Sequence, residues 1–319
     1  MKISSLLYLY LNLLCLILIA NNKSKKKYMI KTAIIGASGF IGSHLINKYR
    51  SKYPDCIGTS FSSNQKNLLK FDLRNPNIAP LDLERTGHKA VIITSYKANI
   101  SYCENEPHKA YEVNVEGILQ LIKNLSQSSL KIIFLSSEYI FDGTQGKYAD
   151  DHPGAPNTSY GKHKKIVEDA IKSLTDNFLV LRLSKIYGLT KRDKTILDET
   201  ANLLNQNREV LAASDQYFNP TFIEDLIRAI MDMQERDLKG YINVCAPEIW
   251  SRFEMHTQLA QFMGKNINLI KKIKLYDIPI MKGRPLNTSM VCKRLSQEVQ
   301  SKFISLRDAM KKVASNYKS

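Results

Sequence analysis

The chain is short of tryptophan, of paired cysteine, of acid and of long apolar runs. Trp250 is the single tryptophan and reads as core rather than as a ligand platform. The five cysteines, Cys15, Cys56, Cys103, Cys245 and Cys292, form no C-x-x-C and no His/Cys cluster with metal-ligand spacing. That argues against a zinc module and a disulfide framework, and it fits a reducing compartment. No metal is expected. Acids number 30 against 46 Lys and Arg, a net charge of +16. A basic surface suits nucleic acid, anionic lipid or an anionic small ligand. Here the positive charge is spread along the chain, with only short clusters at 162–165 and 271–274. No nucleic-acid module is present, so nucleic acid is not expected as a partner.

The longest apolar run, Leu6–Ala20, is fifteen residues with Asn12 inside it. A membrane span needs about 20. The length suits a signal segment, but Leu18 occupies the −3 position relative to a cut after Ala20, where cleavage wants a small side chain. Five lysines (Lys2, Lys23, Lys25, Lys26, Lys27) surround it. Residues 1–28 therefore read as a signal, an anchor or a mis-assigned start, with Met29 opening the working protein. Membrane contact is expected only if they are retained. Otherwise the protein is expected in the cytoplasm.

From Met29 onward the pattern is α/β: a Rossmann-type, doubly wound parallel sheet with a smaller C-terminal α/β substrate-binding region. The expected division is 29–184 for the NAD(P)-binding domain and 185–319 mainly for substrate. Thr32–Ile35 reads as a buried strand running into Gly36-Ala37-Ser38-Gly39-Phe40-Ile41-Gly42 and then a helix over 43–49. Glycines so spaced between strand and helix let the backbone approach a pyrophosphate at the helix N-terminus. A second strand is expected over 56–61. It ends without the carboxylate that would hold the ribose 2′-hydroxyl of NADH. Ser60, Ser62, Ser63, Asn64 and Lys66 stand there instead. Hydroxyls and an ammonium suit a 2′-phosphate, so NADPH is favoured and NADH stays open. Asp72 and Leu73, after Leu68–Phe71, are candidates to meet the adenine, or a turn. Ala90–Thr94 reads as the next strand, delivering Thr94, Ser95 and Tyr96 to the carboxyl edge. Asn114 is a buried amide bracing the site, or an exposed helix residue.

The stretch from Lys131 to Lys164 carries the chemistry. Lys131–Leu135 reads as a strand that reaches Ser136, Ser137, Glu138 and Tyr139. A polar loop follows, then Tyr160 and Lys164 at the start of a helix over 161–174. Four residues apart, they share one helix face. Tyr187 and Lys191 repeat the spacing, but Tyr187 precedes Gly188 and reads as a turn. Reducing a ketone needs a hydride on carbon and a proton on oxygen. A phenol beside an ammonium can supply that proton, Ser137 can hold the carbonyl oxygen, and the hydride belongs to a cofactor.

These motifs, with Leu135–Gly143, Asp215–Thr221 and Arg284–Thr288, resemble the extended short-chain dehydrogenase/reductases. Within them the chain is most similar to the sugar-nucleotide reductase branch of the dTDP-4-dehydrorhamnose reductases. The resemblance runs from about Met29 to the C-terminus. It implies an NADPH-dependent oxidoreductase of carbohydrate biosynthesis, with a nucleotide-sugar substrate. Ser137, Tyr160 and Lys164 are then catalytic, and Tyr139 meets the sugar. Ser137 replaces the usual Thr and Glu138 the usual Asp. Lys185 stands where those reductases set a Trp against the sugar, which leaves the sugar open. Gln216 and Asn219 are candidates to hydrogen-bond substrate, and Arg284 and Lys282 to hold a diphosphate. Alternatives are an NAD-dependent nucleotide-sugar epimerase or dehydratase, and a non-catalytic NADP-binding regulatory subunit. A homodimer is open.

Overall fold

The computed structural model describes residues 29–62, 65–299 and 302–318. Ser63 and the run Leu6–Ala20 lie outside the described residues.

Strand β1 (Thr32–Ile35) leads into helix α1 (Phe40–Arg50), two short strands, β2 (Thr59–Ser60) and β3 (Leu69–Lys70), and β4 (Ala90–Ile93). Helices α2 (Ile100–Asn105), α3 (Pro107–Tyr111) and α4 (Ile118–Leu125) follow, then β5 (Lys131–Ser137), α5 (Ser159–Leu174) and β6 (Phe178–Leu183). Beyond these come β7 (Ile186–Tyr187), α6 (Ile196–Asn205), β8 (Val210–Ala213), β9 (Tyr217–Phe218), β10 (Thr221–Phe222) and α7 (Ile223–Glu235). The rest is β11 (Gly240–Val244), β12 (Trp250–Ser251), α8 (Arg252–Met263), β13 (Ile270–Ile273), α9 (Lys293–Glu298) and α10 (Leu306–Lys318).

The central sheet runs β1-β4-β5-β6-β11, every pair parallel. Beyond β1, the Ile34 N–H donates to Ile57 O at 2.9 Å, which brings the β2–β3 pair to that edge. The strand order reverses between β1 and β4, and open α/β sheets bind ligands at such a crevice.

The strands read as unbroken apolar runs because both faces are covered. Ile34, Ile92, Ile133 and Leu181 join α1 and α7 on one side. Ala33, Val91, Ile132, Phe134 and Val180 join α4 and α5 on the other. Alternate residues thus serve opposite layers. Each buried Ile, Val, Leu or Phe among them contributes about 1.5–3 kcal/mol by leaving water.

A third apolar cluster unites α6, α8 and α10, with Trp250 packed at its edge. The division expected at 184 is not a clean cut in space. β11 pairs with β6, and α7 covers the sheet beside α1, so residues past 220 complete the nucleotide-binding layer. Among the described residues no helix is long and apolar enough to cross a membrane, and no group of three or more His, Cys, Asp and Glu is placed to hold a metal. Cys245 and Cys292, isolated in sequence, meet with their Sγ atoms 2.7 Å apart.

Candidate active site

Two adjoining cavities open along the carboxyl edge of the sheet. The first, about 370 Å³, is lined by Gly36, Ser38, Gly39, Ser62, Asp72, Leu73, Thr94, Ser95 and Tyr96. The second, about 460 Å³, is lined by Phe40, Ile41, Gly42, Ser137, Glu138, Tyr139, Tyr160, Lys164 and Lys185. Gly39, Thr94 and Tyr96 border both.

The glycine turn is held by β1 and β4. Thr94 Oγ1 donates to the carbonyls of Ile35 and Gly36, each at 3.0 Å. A Cβ on Gly42 would lie 2.2 Å from Gly36 O, so only glycine lets α1 start this close to β1. Gly39 caps α1 with no side-chain hydrogen bond, which leaves the first-turn N–H groups to an outside acceptor. Asp72 proves to be both turn and cavity residue. It accepts from the Arg74 N–H at 3.0 Å and pairs with the Arg74 guanidinium at 2.6 Å. Arg74, which itself lines the cavity and lies over the Phe61 ring, escaped sequence reasoning because it follows a turn with no motif.

β5 carries Ser137 to the second cavity, and its Oγ accepts from the Tyr139 N–H at 3.2 Å. Helix α5 begins there because Thr158 caps Gly161 N and because Gly161 rests on the Tyr139 carbonyl. A Cβ at 161 would lie 2.0 Å from that oxygen. The result sets the Tyr160 phenol against Ser137, with ring neighbours Tyr96 and Tyr139 at 5.5 and 5.9 Å.

Lys164 is buried, donates to Leu135 O at 2.7 Å, and sits 3.5 Å over the Tyr96 ring. Burial lowers its pKa to about 7, against the pull of Glu168. The Tyr160 phenol is pushed up by burial, and its hydrogen bond with Ser137 only partly offsets this. The phenol is thus not brought toward neutrality by Lys164 here, because that ammonium is itself desolvated and turned to a carbonyl. Tyr187, in contrast, is buried on β7, and Lys191 lies over Tyr317, so the repeat of the spacing builds no site.

Asn114 is the buried amide. It accepts from Lys97 N at 2.8 Å, donates to Lys97 O at 3.2 Å, and lies 3.4 Å from His163 on α5. It ties the loop after β4 to α5.

Glu138 is buried and accepts from the Ser184 hydroxyl at 2.5 Å. Burial raises its pKa to about 7, opposed by Ser184 and Lys185. A carboxyl whose folded pKa lies above its unfolded value, near 4.5, stabilises the fold fully below that unfolded value. The contribution is lost as pH rises through about 7. Glu138→Gln is therefore expected to gain about 2–4 kcal/mol on wild type between pH 4.5 and 8, measured by urea unfolding across that range. Parallel curves for the two proteins would refute this.

Asn219 does not face the cavity, contrary to the sequence expectation. Fully buried, it donates to Ala246 O at 3.0 Å and accepts from Met290 N at 2.8 Å, so its amide is spent on backbone. Gln216 is buried as well and accepts from Arg252 Nε at 2.7 Å. Its partner Arg252, a residue without sequence signal because it merely opens α8, acts on Lys185 only through its charge. Arg284 donates to Ser101 at 3.2 Å, and its buried Nε has no partner. With Lys282 it lines a neighbouring cavity of about 330 Å³.

A family model described as RmlD substrate binding domain matches residues 30–319. The dTDP-4-dehydrorhamnose reductase of Sinorhizobium fredii is 26% identical over 219 residues, which is 65% of this chain and 73% of that protein. The methionine adenosyltransferase 2 subunit beta of Pongo abelii is 22% identical, over 83% of this chain and 81% of its own. In three dimensions, dTDP-4-dehydrorhamnose reductase from Bacillus anthracis, solved in complex with NADP, superposes with a TM-score of 0.79 at 20% identity. That match covers 89% of this chain and 99% of the other.

Proposed function

The chain belongs to the family of the RmlD substrate binding domain, and from that premise we propose that it is an NADPH-dependent reductase of a keto group on a nucleotide-linked sugar. The observation that carries this reading is the meeting of Ser137, Tyr160 and Lys164 on one cavity wall, beside the crevice that holds the glycine turn. The dTDP-4-dehydrorhamnose reductases among its relatives support it.

The residues fit a dinucleotide. The uncapped start of α1 offers N–H groups to a pyrophosphate. Asp72, Leu73 and Val113 would border the adenine. The Arg74 guanidinium and the Ser62 hydroxyl would meet a 2′-phosphate, which favours NADPH over NADH. Ser63, the other hydroxyl proposed there, is outside the described residues. Bound NADPH would supply the hydride. Ser137 would hold the carbonyl oxygen by donating a hydrogen bond. Tyr160 would give its proton to that oxygen as the alcohol forms. With the nicotinamide in place, the Lys164 ammonium, 6.0 Å from the Tyr160 ring centre, would lower the cost of the phenolate left behind, and Tyr160 and Lys164 would also meet the nicotinamide ribose. Tyr139 would flank the sugar, and Arg284 would hold the diphosphate.

A screen of nucleotide-linked keto sugars should show cofactor oxidation, followed at 340 nm, faster with NADPH than with NADH. A protein that oxidises neither with any of them counts against the proposal. The subunit beta relatives favour a second reading, a non-catalytic NADP-binding partner of another enzyme.

A further inference from the structure

Lys185 is the one lysine besides Lys164 that lines the candidate catalytic cavity, on the wall formed by Leu183, Ser184 and Ile186. It follows Ser184, whose hydroxyl is bound to Glu138, and Leu183, which pairs with Ser137 across β5 and β6. The side chain is exposed to the cavity. Among the described residues its ammonium has no hydrogen bond and no ion pair. Lys185 keeps an exposed surface, yet the protein around it takes away enough water to lower its pKa, with repulsion from Arg252 and, least, Arg284 adding to this and attraction from Glu138 and Glu199 opposing it. Of the two attracting carboxylates, Glu138 is engaged with Ser184 and Glu199 is exposed on α6. Arg252 and Arg284 thus repel the Lys185 ammonium while Glu138 and Glu199 attract it, and among the described residues none of the carboxylates forms an ion pair with it.

We infer that Lys185 selects a sugar that itself carries a negative group, a carboxylate on the ring carbon chain in the manner of a uronic acid. This rests on the nucleotide-sugar reading above and names the substrate class within it. A neutral 6-deoxy sugar would present a methyl group to an ammonium and leave it unmatched. The diphosphate does not account for Lys185, because Lys282 and Arg284 line a separate neighbouring cavity with Ser101 and Thr158. A charge-assisted hydrogen bond in a partly dry cleft is strong enough to set a preference.

The test is calorimetric titration of the full-length protein, in the presence of NADP, with UDP, UDP-glucose and UDP-glucuronic acid, and with the dTDP-linked set in parallel. The two sugars differ only at the carboxylate. Wild type should bind the acid about 10- to 100-fold more tightly than the neutral sugar. Lys185→Met should bring the ratio toward one, and Lys185→Arg should keep it above about fivefold. Equal binding of the two sugars by wild type overturns the inference. So does a Lys185→Met protein that weakens UDP, UDP-glucose and UDP-glucuronic acid by one common factor, since Lys185 would then serve the diphosphate. Failure of all six compounds to bind would instead remove the nucleotide-sugar reading on which the inference stands.

Discussion

Tyr160→Phe lowers kcat by about 10²- to 10⁴-fold while the protein still binds NADPH. That is the range a positioned proton donor contributes, and the substitution removes the donor alone. The phenyl ring keeps its edge contacts with Tyr96 and Tyr139, so the cavity wall stays in place. Ser137 remains to orient the carbonyl, which leaves KM much less affected than kcat. The measurement is steady-state cofactor oxidation with the substrate found by screening, beside fluorescence titration of NADPH. A variant with wild-type kcat would remove Tyr160 from the chemistry. If wild type itself turns over nothing, and both proteins bind NADPH alike, the regulatory-subunit reading takes over.

The second large effect is on stability. Arg182 on β6 and Glu168 on α5 form an ion pair at 2.9 Å, with 5% and 1% of their side chains exposed. Arg182 also donates to the carbonyls of Asp150 and His152, each at 3.0 Å, and lies over the rings of Phe141 and Tyr241. The pair joins α5 to the sheet and pins the polar loop between β5 and α5. Arg182→Met keeps most of the volume but strands the Glu168 carboxylate away from water. The expected cost is about 3–5 kcal/mol, as for other buried pairs that lose one partner. Glu168→Met combined with Arg182→Met should recover most of it, since the stranded charge is gone and the loop carbonyls alone go unmatched. Urea unfolding of wild type, single and double variants checks both statements. A single variant within about 1 kcal/mol of wild type would show that water or a neighbour relieves the charge.

Neither partner of that pair announced the other. Arg182 stood in an apolar run that reads as a buried strand, and Glu168 on a helix among other charges. They stand fourteen positions apart in the chain, and only the crossover from α5 to β6 brings them together. The same holds for the cavity. Ser137, Tyr160 and Lys164 were legible because one strand–loop–helix unit delivers them, so local periodicity and spacing were enough. Arg252 and Arg74 carried no motif and were missed. Asn219 lay in a stretch that resembled a substrate-binding motif, yet its amide is used up by backbone groups from residues 246 and 290. Whether a polar side chain faces a ligand or satisfies buried backbone depends on which distant segment packs on it.

The chain by itself determined the parallel sheet, the glycine turn and the gathering of Ser137, Tyr160 and Lys164 at one cavity. Strands covered on both faces must be apolar throughout, and a helix that starts against a strand must have glycine there. Those demands are local and leave a local mark. Tertiary structure alone decided that β11 and α7 finish the nucleotide-binding layer, that Glu138 loses water and is driven to a pKa of about 7, and that Lys185 feels the charges of Arg252 and Arg284. Burial and electrostatic neighbourhood are sums over segments far apart in the chain. They exist only once the sheet, its covering helices and the C-terminal cluster have packed together.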